Sequence, residues 1–240
     1  TLFPYTTLFR SDEIEKAHPD MVVLTGDYVH DPTSQEQWNE FLRIIGGIDQ
    51  SIRTVVIPGN HDVLDKDGKI DMTPYTRHLG KDRFAERIGN AYLIGLNSNF
   101  MKNVEQNSLE EQSQFAWLKK TLKKKHKKDH VIVFLHHPFF LENYGEEEGY
   151  STLSESIRNK YFSLFDEYGV EFVIAGHLHD NREANHNGIE MVTTSAAGRQ
   201  LGTAQPGIRI IQLRKGNISQ QYFTLEQLPD TRENVIASFK

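Results

Sequence analysis

The stretch that decides the fold is TVVIPGNHD, residues 54–62. Its first half is a short apolar run, which is typical of a strand buried in a parallel sheet. Its second half is polar, and it begins at Gly59, a residue that lets the backbone turn sharply at a strand end. Few packing needs place Asn60, His61 and Asp62 in a row there. We therefore interpret this strand end as part of a functional site.

Three other apolar runs end in the same way. They are MVVLTGD (residues 21–27), HVIVFLHHP (130–138) and FVIAGHLH (172–179). Ligands of α/β sheets bind outside the carboxyl ends of the strands, so parallel strands would bring these four polar ends to one edge. Asp27 is costly to bury unless it is paired or binds a metal. His177 and His179 lie two residues apart, a spacing that puts two side chains on one face of a strand.

The order of elements predicts an α/β fold. Apolar runs and helical patterns alternate along the first 180 residues, and strands at 189–195, 208–213 and 220–224 then follow one another. Helices are expected at 35–48, 108–122 and 154–168; Ser108 and Glu111 have the spacing of a capping box. We expect the polar stretch 62–90 to be a surface excursion with a short helix or two.

Composition excludes several kinds of site. The 240 residues include eleven histidines and no cysteine, so any metal must bind His, Asp, Glu or Asn. The net charge is −6, which argues against a nucleic-acid partner. No apolar run approaches the roughly 18 residues that span a bilayer, which argues against a membrane partner. We further expect a monomer that resides in the cytoplasm.

Residues 1–11 read TLFPYTTLFRS and differ from the rest of the chain. The string resembles the translation of a sequencing-adapter oligonucleotide, and segments of that kind are left out of fold reasoning. We therefore expect one domain over residues 12–240.

The order Gly-Asp, Gly-Asn-His-Asp, His-x-Pro, Gly-His-x-His resembles the calcineurin-like metallophosphoesterase superfamily. The match runs from Met21 to nearly the end of the chain. A narrower resemblance, to the calcineurin-like phosphoesterase-domain-containing protein 1 branch, rests on FLHHPFFLE (134–142), the glutamates at 146–148 and SAAGRQLG (195–202). The resemblance implies a two-sheet α/β sandwich with flanking helices and a phosphatase that acts on phosphoserine or phosphothreonine in proteins, or on a small phosphoester.

The resemblance also implies a role for each strand-end residue. Two metal ions (manganese, iron or zinc) would be held, with Asp27 bridging them. Asn60, His136 and His177 would complete the shell of one ion, and His179 would bind the other. His61 would protonate the leaving group and Asp62 would orient His61. His137 and Arg199 are candidates for contact with the substrate, Arg199 because a guanidinium can clamp a phosphate through two hydrogen bonds.

The chain departs from the family pattern in one respect. The family opens with Asp-x-His at the end of its first strand, which supplies two ligands to the second metal. No Asp-x-His precedes Gly26. We therefore expect that the domain lacks its first strand, binds the second metal poorly and has low activity in this form.

Two other functions remain open from the sequence. One is a phosphodiesterase that acts on cyclic nucleotides or related diesters with the same core. The other is a metal-binding scaffold with impaired catalysis that works through protein contacts. His61 and Asp62 argue against the scaffold, because a protein that only binds partners has no need of a proton donor.

Overall fold

The computed structural model describes residues 11–198, 200–201, 203–214 and 216–239. In chain order the strands are β1 (Met21–Leu24), β2 (Arg53–Val56), β3 (Leu64–Lys66), β4 (Lys69–Asp71), β5 (Phe84–Ile88), β6 (Ala91–Gly95), β7 (His130–Leu135), β8 (Val170–Ala175), β9 (Arg182–His186), β10 (Ile189–Thr193), β11 (Gly207–Arg214) and β12 (Asn217–Thr224). The helices are α1 (Ser11–Ala17), α2 (Gln35–Ile45), α3 (Thr73–Leu79), α4 (Asn99–Lys102), α5 (Ser108–Leu122), α6 (Glu155–Tyr168) and α7 (Arg232–Ser238), and a 3-10 turn covers Asn60–Asp62.

A six-stranded sheet forms the centre of the fold. Its strand order is β5-β6-β7-β8-β10-β9. The four inner strands are parallel, and the outer strands β5 and β9 are antiparallel to their neighbours. The continuous apolar runs of β7 and β8 fit this position, since a central parallel strand is covered on both faces.

A second β layer covers one face of this sheet. It consists of the parallel pair β1-β2 and the antiparallel hairpin β11-β12. Met21 and Val23 of β1 and Ile211 and Leu213 of β11 pack against a buried cluster of the central sheet that includes Phe134. The predicted two-sheet α/β sandwich is confirmed, and its second layer is made of two strand pairs.

Helices cover the outer faces of the sandwich, as predicted. Helices α5 and α6 pack on the other face of the central sheet. Helix α2 places Trp38 and Phe41 in a cluster with Tyr28, at the end of β1. The Ser34 side chain caps α2 by accepting a hydrogen bond from the Gln37 N–H. Among the described helices, none is long and apolar enough to cross a membrane.

The stretch 62–90 contains more β structure than the sequence predicts. The expected surface excursion consists of the hairpin β3-β4, helix α3 and strand β5, which pairs with β6 as an edge of the central sheet. Only the ends of β5, Phe84 and Ile88, are large apolar residues that pack toward the inner cluster. Glu86 lies between them and pairs with Arg53 of β2, so the apolar alternation that predicts a strand is interrupted.

Candidate metal centre

The loops that follow β1, β2, β7 and β8 meet at one edge of the sandwich. Gly26 and Gly59 allow the first two loops to approach each other. A Cβ atom at Gly26 would lie 2.3 Å from the backbone nitrogen of Gly59, and one at Gly59 would lie 2.2 Å from Oδ1 of Asp27. Gly26 also has a φ of +102°, which favours glycine. These two glycines therefore permit the contact that brings Asp27 beside Asn60.

Four side chains point their polar atoms at a common centre. Nε2 of His136 lies 3.0 Å from Oδ1 of Asn60, 3.1 Å from Nδ1 of His177 and 3.3 Å from Oδ2 of Asp27. Nδ1 of His177 is 3.0 Å from the same Asn60 oxygen. Ligand atoms that sit about 2.1 Å from one ion are spaced about 3.0–3.4 Å apart. The four side chains therefore have the spacing of one metal shell.

Hydrogen bonding directs lone pairs at this centre. Nδ1 of His136 lies 2.8 Å from the carbonyl oxygen of Thr25, which can only accept, so this nitrogen carries the proton. The opposite nitrogen then faces Asp27, Asn60 and His177. A neutral ring held in this way is the form that binds a metal. The carboxylate oxygen of Asp27 and the amide oxygen of Asn60 can only accept at this point, which fits a cation.

The pKa values of the cluster agree with its geometry. Burial and the neighbouring His136 lower the pKa of His177 to about 3, so its ring is neutral and its lone pair is available. Burial tends to raise the pKa of Asp27, but His136 and the His61 N–H hold it well below its usual range. Burial tends to lower the pKa of His136, and the Asp27 carboxylate more than offsets this, so the pKa is raised. A negative charge on Asp27 thus lies at the centre of the site.

Three of the residues have strained backbones. The φ angles of Asp27, His177 and His179 are 61°, 69° and 51°, in the left-handed region that non-glycine residues rarely adopt. Strain of this kind persists where the surroundings fix it and occurs often at functional sites.

His179 is buried, its carbonyl accepts from the Ser195 hydroxyl at 3.0 Å, and it lines the same cavity as Asp27.

His137 lies beside the cluster and is fixed by Ser98. The Ser98 hydroxyl oxygen is 2.9 Å from Nδ1 of His137 and accepts from the His137 backbone N–H at 2.9 Å. The His137 ring is centred 4.5 Å from that of His177, and burial holds its pKa well below the usual range. Ring nitrogens of His136, His137 and His177 lie within 4.8 Å of one another. A neutral His137 is therefore close enough to touch whatever the cluster binds.

His61 lies on the rim of the site. Its backbone N–H donates to Oδ1 of Asp27 at 3.0 Å, and its Nδ1 is 3.2 Å from the carbonyl oxygen of His30. The His30 and His61 rings stack with their centres 5.1 Å apart. His61 is half-buried.

Asp62 holds two loops together through its carboxylate. Its carboxylate accepts backbone N–H bonds from Asp27 and Gly59 at 2.8 Å, from Tyr28 at 2.7 Å and from Val29 at 3.3 Å. His61 and Asp62 follow each other in a 3-10 turn, and the Asp62 carboxylate is engaged by backbone N–H groups. Asp62 therefore joins the loops after β1 and β2, and its orienting of the His61 ring stays a prediction. Burial, and then Asp27, raise its pKa to about 7 against the effect of these donors.

The sequence analysis missed the residues that follow β6. Asn99 donates to the carbonyl oxygen of Gly59 at 3.1 Å and to Oδ1 of Asn97 at 3.0 Å, and all three of Asn97, Ser98 and Asn99 are buried. These residues support the loop that carries Asn60 and the side chain of His137. The rule that finds the other polar residues, a polar run at the end of an apolar strand, would also have found these. Arg199 lies outside the described residues.

A cavity of about 820 Å³ extends from the cluster into the sandwich, as formed by the described residues. It is lined by β1 on one side and β11 on the other, with Phe134 and Ile174 of the central sheet below. His136, His177 and His179 line its end. The candidate metal centre therefore opens inward between the two strand pairs of the second layer.

Comparison with known proteins agrees with this description. Residues 3–181 match the family described as Calcineurin-like phosphoesterase. The serine/threonine-protein phosphatase CPPED1 of Bos taurus is 32% identical over 218 residues, which are 88% of this chain and 70% of that protein. A probable glycerophosphodiester phosphodiesterase GpdQ of Arcobacter nitrofigilis is 27% identical over 234 residues, 94% of this chain and 81% of that protein.

The fold matches solved structures. The purple acid phosphatase PPD1 from yellow lupin (Lupinus luteus) superposes with a TM-score of 0.70 at 16% identity, over 94% of this chain and 48% of that chain. This chain thus spans about half the length of the lupin enzyme, and the likeness shows the fold alone. The resemblance to the CPPED1 branch is confirmed by the first of these relatives. Together with the match over residues 3–181, it shows that the chain belongs to the calcineurin-like phosphoesterase family, whose members hydrolyse phosphoesters.

Proposed function

We propose that this domain is a metal-dependent phosphomonoesterase that acts on phosphoserine or phosphothreonine in proteins and uses two ions of manganese, iron or zinc. The observation that carries the proposal is the convergence of Asp27, Asn60, His136 and His177, with ligand atoms 3.0–3.3 Å apart. Imidazole, carboxylate and amide donors without thiolate suit these metals. The relatives named serine/threonine-protein phosphatase support the choice of substrate.

Each side chain has a task in this reaction. Bound metal ions would neutralise the phosphoryl oxygens and acidify the attacking water. Asp27 and Asn60 hold one carboxylate and one neutral oxygen at the centre, so the total ligand charge stays low. His61, on the rim, donates a proton to the leaving oxygen of the serine or threonine, a contribution of about 10²–10⁴-fold in rate. His137, neutral and fixed by Ser98, lies where it can contact a phosphoryl oxygen.

We propose that the second half of the site is incomplete in this chain. Asp27 and His179 are the two residues that would hold the second ion. The family pattern supplies two more ligands through Asp-x-His, and the chain contains no such sequence before Gly26. The domain is therefore expected to bind one ion tightly and the second weakly, with low activity.

Metal binding and hydrolysis together test the proposal. The protein is loaded with Mn²⁺, its metal content is measured by mass spectrometry, and hydrolysis of p-nitrophenyl phosphate and a phosphoserine peptide is followed. His177→Ala is expected to lower the metal content by at least half and to abolish the residual activity, because it removes a ligand at the centre. His126→Ala, which changes a histidine whose side chain is 73% exposed, serves as the matched control. Equal metal content in the two variants would refute the assignment.

A phosphodiesterase remains the second candidate, supported by the match to the probable glycerophosphodiester phosphodiesterase. The ratio of kcat/KM for p-nitrophenyl phosphate to that for its bis ester separates the two. A monoesterase gives a ratio above one and a diesterase a ratio below one. If the Mn²⁺-loaded protein hydrolyses neither ester, it is better described as a metal-binding scaffold, whereas unchanged turnover in His61→Gln would show that His61 is not the proton donor.

A further inference from the structure

An exposed tyrosine stands beside the candidate metal centre. Tyr150 is 80% exposed, yet its ring centre lies 5.6 Å from that of His177, with the planes inclined by 35°. Among the described residues, the other exposed large apolar side chains are Leu109 at 77% and Leu201 at 64%. An aromatic ring that offers its surface to solvent next to a reaction centre is placed to contact what the centre binds.

The segment that carries Tyr150, residues 141–153, is fixed at its start by its own carboxylate. The Glu146 side chain accepts N–H bonds from Leu141 at 2.9 Å, Glu142 at 3.0 Å and Asn143 at 3.1 Å. Arg158 of α6 is fully buried and donates to backbone carbonyl oxygens of the segment, those of Tyr144, Glu146 (3.0 Å) and Leu153 (3.1 Å). A buried guanidinium used in this way holds the segment against the core.

Lys102 fixes the part of the segment next to Tyr150. Its Nζ donates to the carbonyl oxygens of Gly149 at 2.8 Å and Thr152 at 2.6 Å and to the Glu148 carboxylate at 3.1 Å. The Thr152 hydroxyl accepts from the Gly149 N–H at 3.0 Å. Gly149 and Thr152, which lie on either side of Tyr150 in the chain, are thus held, so the backbone that carries the ring has little conformational freedom to lose on binding.

The charge of the segment indicates which kind of ligand meets the ring. Residues 141–153 contain four glutamates and no lysine or arginine. A second phosphate, as in a nucleoside diphosphate or a nucleic acid, is repelled there, while a polypeptide brings no such charge. The rim position also favours a long substrate, because the ring is outside the cavity that leads to the cluster.

We propose that Tyr150 is a substrate-binding residue that stacks on the polypeptide flanking a phosphorylated side chain held at the cluster. It selects a phosphorylated residue within a peptide over a small phosphate ester. This inference rests on the proposed function. Stacking and contact by one aromatic ring correspond to about a two- to tenfold gain in affinity.

Binding measurements test the inference on the Mn²⁺-loaded protein. The dissociation constant of a labelled phosphoserine peptide is measured by fluorescence anisotropy, and those of inorganic phosphate and adenosine monophosphate by competition. We expect Tyr150→Ala to weaken peptide binding about two- to tenfold and to leave phosphate binding unchanged, while Tyr150→Phe keeps wild-type affinity. Leu109→Ala, which removes an equally exposed apolar side chain elsewhere, is the matched control. In kinetic assays the change should appear in KM and not in kcat.

The outcomes separate this inference from the proposed function. If the wild-type protein binds neither phosphate nor the peptide, the proposed function fails and this inference fails with it. If phosphate and peptide bind and Tyr150→Ala binds the peptide as the wild type does, only the role of Tyr150 is refuted. A loss confined to adenosine monophosphate would show that the ring contacts a base, which also overturns the inference.

Discussion

Asp62 is the residue on which the position of the Asp27 loop depends most. Its two carboxylate oxygens satisfy four backbone N–H groups from two loops, and the Asp62 side chain is fully buried. An unpaired buried N–H group costs about 1–3 kcal/mol, so this carboxylate replaces the regular secondary structure that the loops lack. The proposed metal ligands Asp27 and Asn60 are thus held by a residue that is not itself one of the proposed ligands.

The substitution Asp62→Asn therefore tests whether the carboxylate holds the two loops together. It does not test the hydrolysis reaction. An amide has one acceptor oxygen, so its NH₂ group would face two of the four N–H donors. We expect a loss of about 2–4 kcal/mol in the free energy of unfolding, measured by urea denaturation at pH 8, above the Asp62 pKa of about 7. The matched control is Asp49→Asn, at an exposed residue that accepts from the Ser51 N–H at 2.8 Å. A similar loss in the free energy of unfolding in the two variants would show that Asp62 does not hold the loops together in this way.

At the scale of elements, the ends of β1 and β2 form one unit. Their register pairs Leu24 with Val56, so the loops that follow leave the pair side by side. The distance between the loops is set by two glycines, because any side chain atom at Gly59 would meet Asp27. The geometry of the two strands thereby sets the spacing of two proposed metal ligands, Asp27 and Asn60.

Gly59→Ala is expected to disrupt this unit. The new Cβ would lie 2.2 Å from Oδ1 and 2.4 Å from the backbone nitrogen of Asp27, so the loop must move. We expect a loss of stability of about 1–3 kcal/mol and at least a tenfold loss of Mn²⁺ affinity, measured by thermal unfolding and titration calorimetry. Gly145→Ala is the matched control, since nothing lies within 4 Å of its added Cβ. An unchanged Mn²⁺ affinity in Gly59→Ala would contradict the proposed role of this contact.

The elements that the sequence predicts best are those whose surroundings are uniform. Strands β7 and β8 are buried on both faces, so a plain apolar run identifies them. Glu111 shows where a local pattern misleads. Its spacing from Ser108 suggests a capping box, but the helix is capped at Asn107, and Glu111 is buried against Lys160 of α6 at 2.7 Å. A partner far along the chain decided its role, and no local pattern records such a partner.

At the scale of the whole molecule, the candidate site was predictable because the strand topology brings together residues whose side-chain chemistry already suggests a metal site. Parallel strands place their carboxyl ends together, so four polar strand ends in the sequence predicted one cluster, and Asp27, Asn60, His136 and His177 meet in the structure. The task of Asp62 and the anchoring of residues 141–153 were not predictable. Both depend on backbone groups brought together by folding, and backbone groups are the same at every residue.

The second β layer provides the last prediction. Among the described residues, β1 is hydrogen-bonded to β2 and β11 to β12, and the two pairs face each other across the cavity of about 820 Å³ that ends at His136, His177 and His179. A strand edge that lacks a hydrogen-bonded neighbour and lies over apolar side chains of the central sheet is a position where a further strand can add. A strand there would end beside Asp27 and His179, where the proposed second metal needs ligands.

Replacing residues 1–11 by an apolar strand of about six residues that ends in Asp-x-His is therefore expected to complete the site. The metal content should rise from one to two ions per chain, and kcat/KM for p-nitrophenyl phosphate should rise by roughly tenfold or more, because both sides of the phosphoryl group are then stabilised. The same strand ending in Asn-x-Ala is the matched control. It fills the apolar space and should raise the melting temperature equally, without the second ion and without the gain in activity. Equal activity of the unaltered chain and the Asp-x-His version would show that the chain already has all the ligands it needs, and the proposed incomplete second half-site would then be wrong.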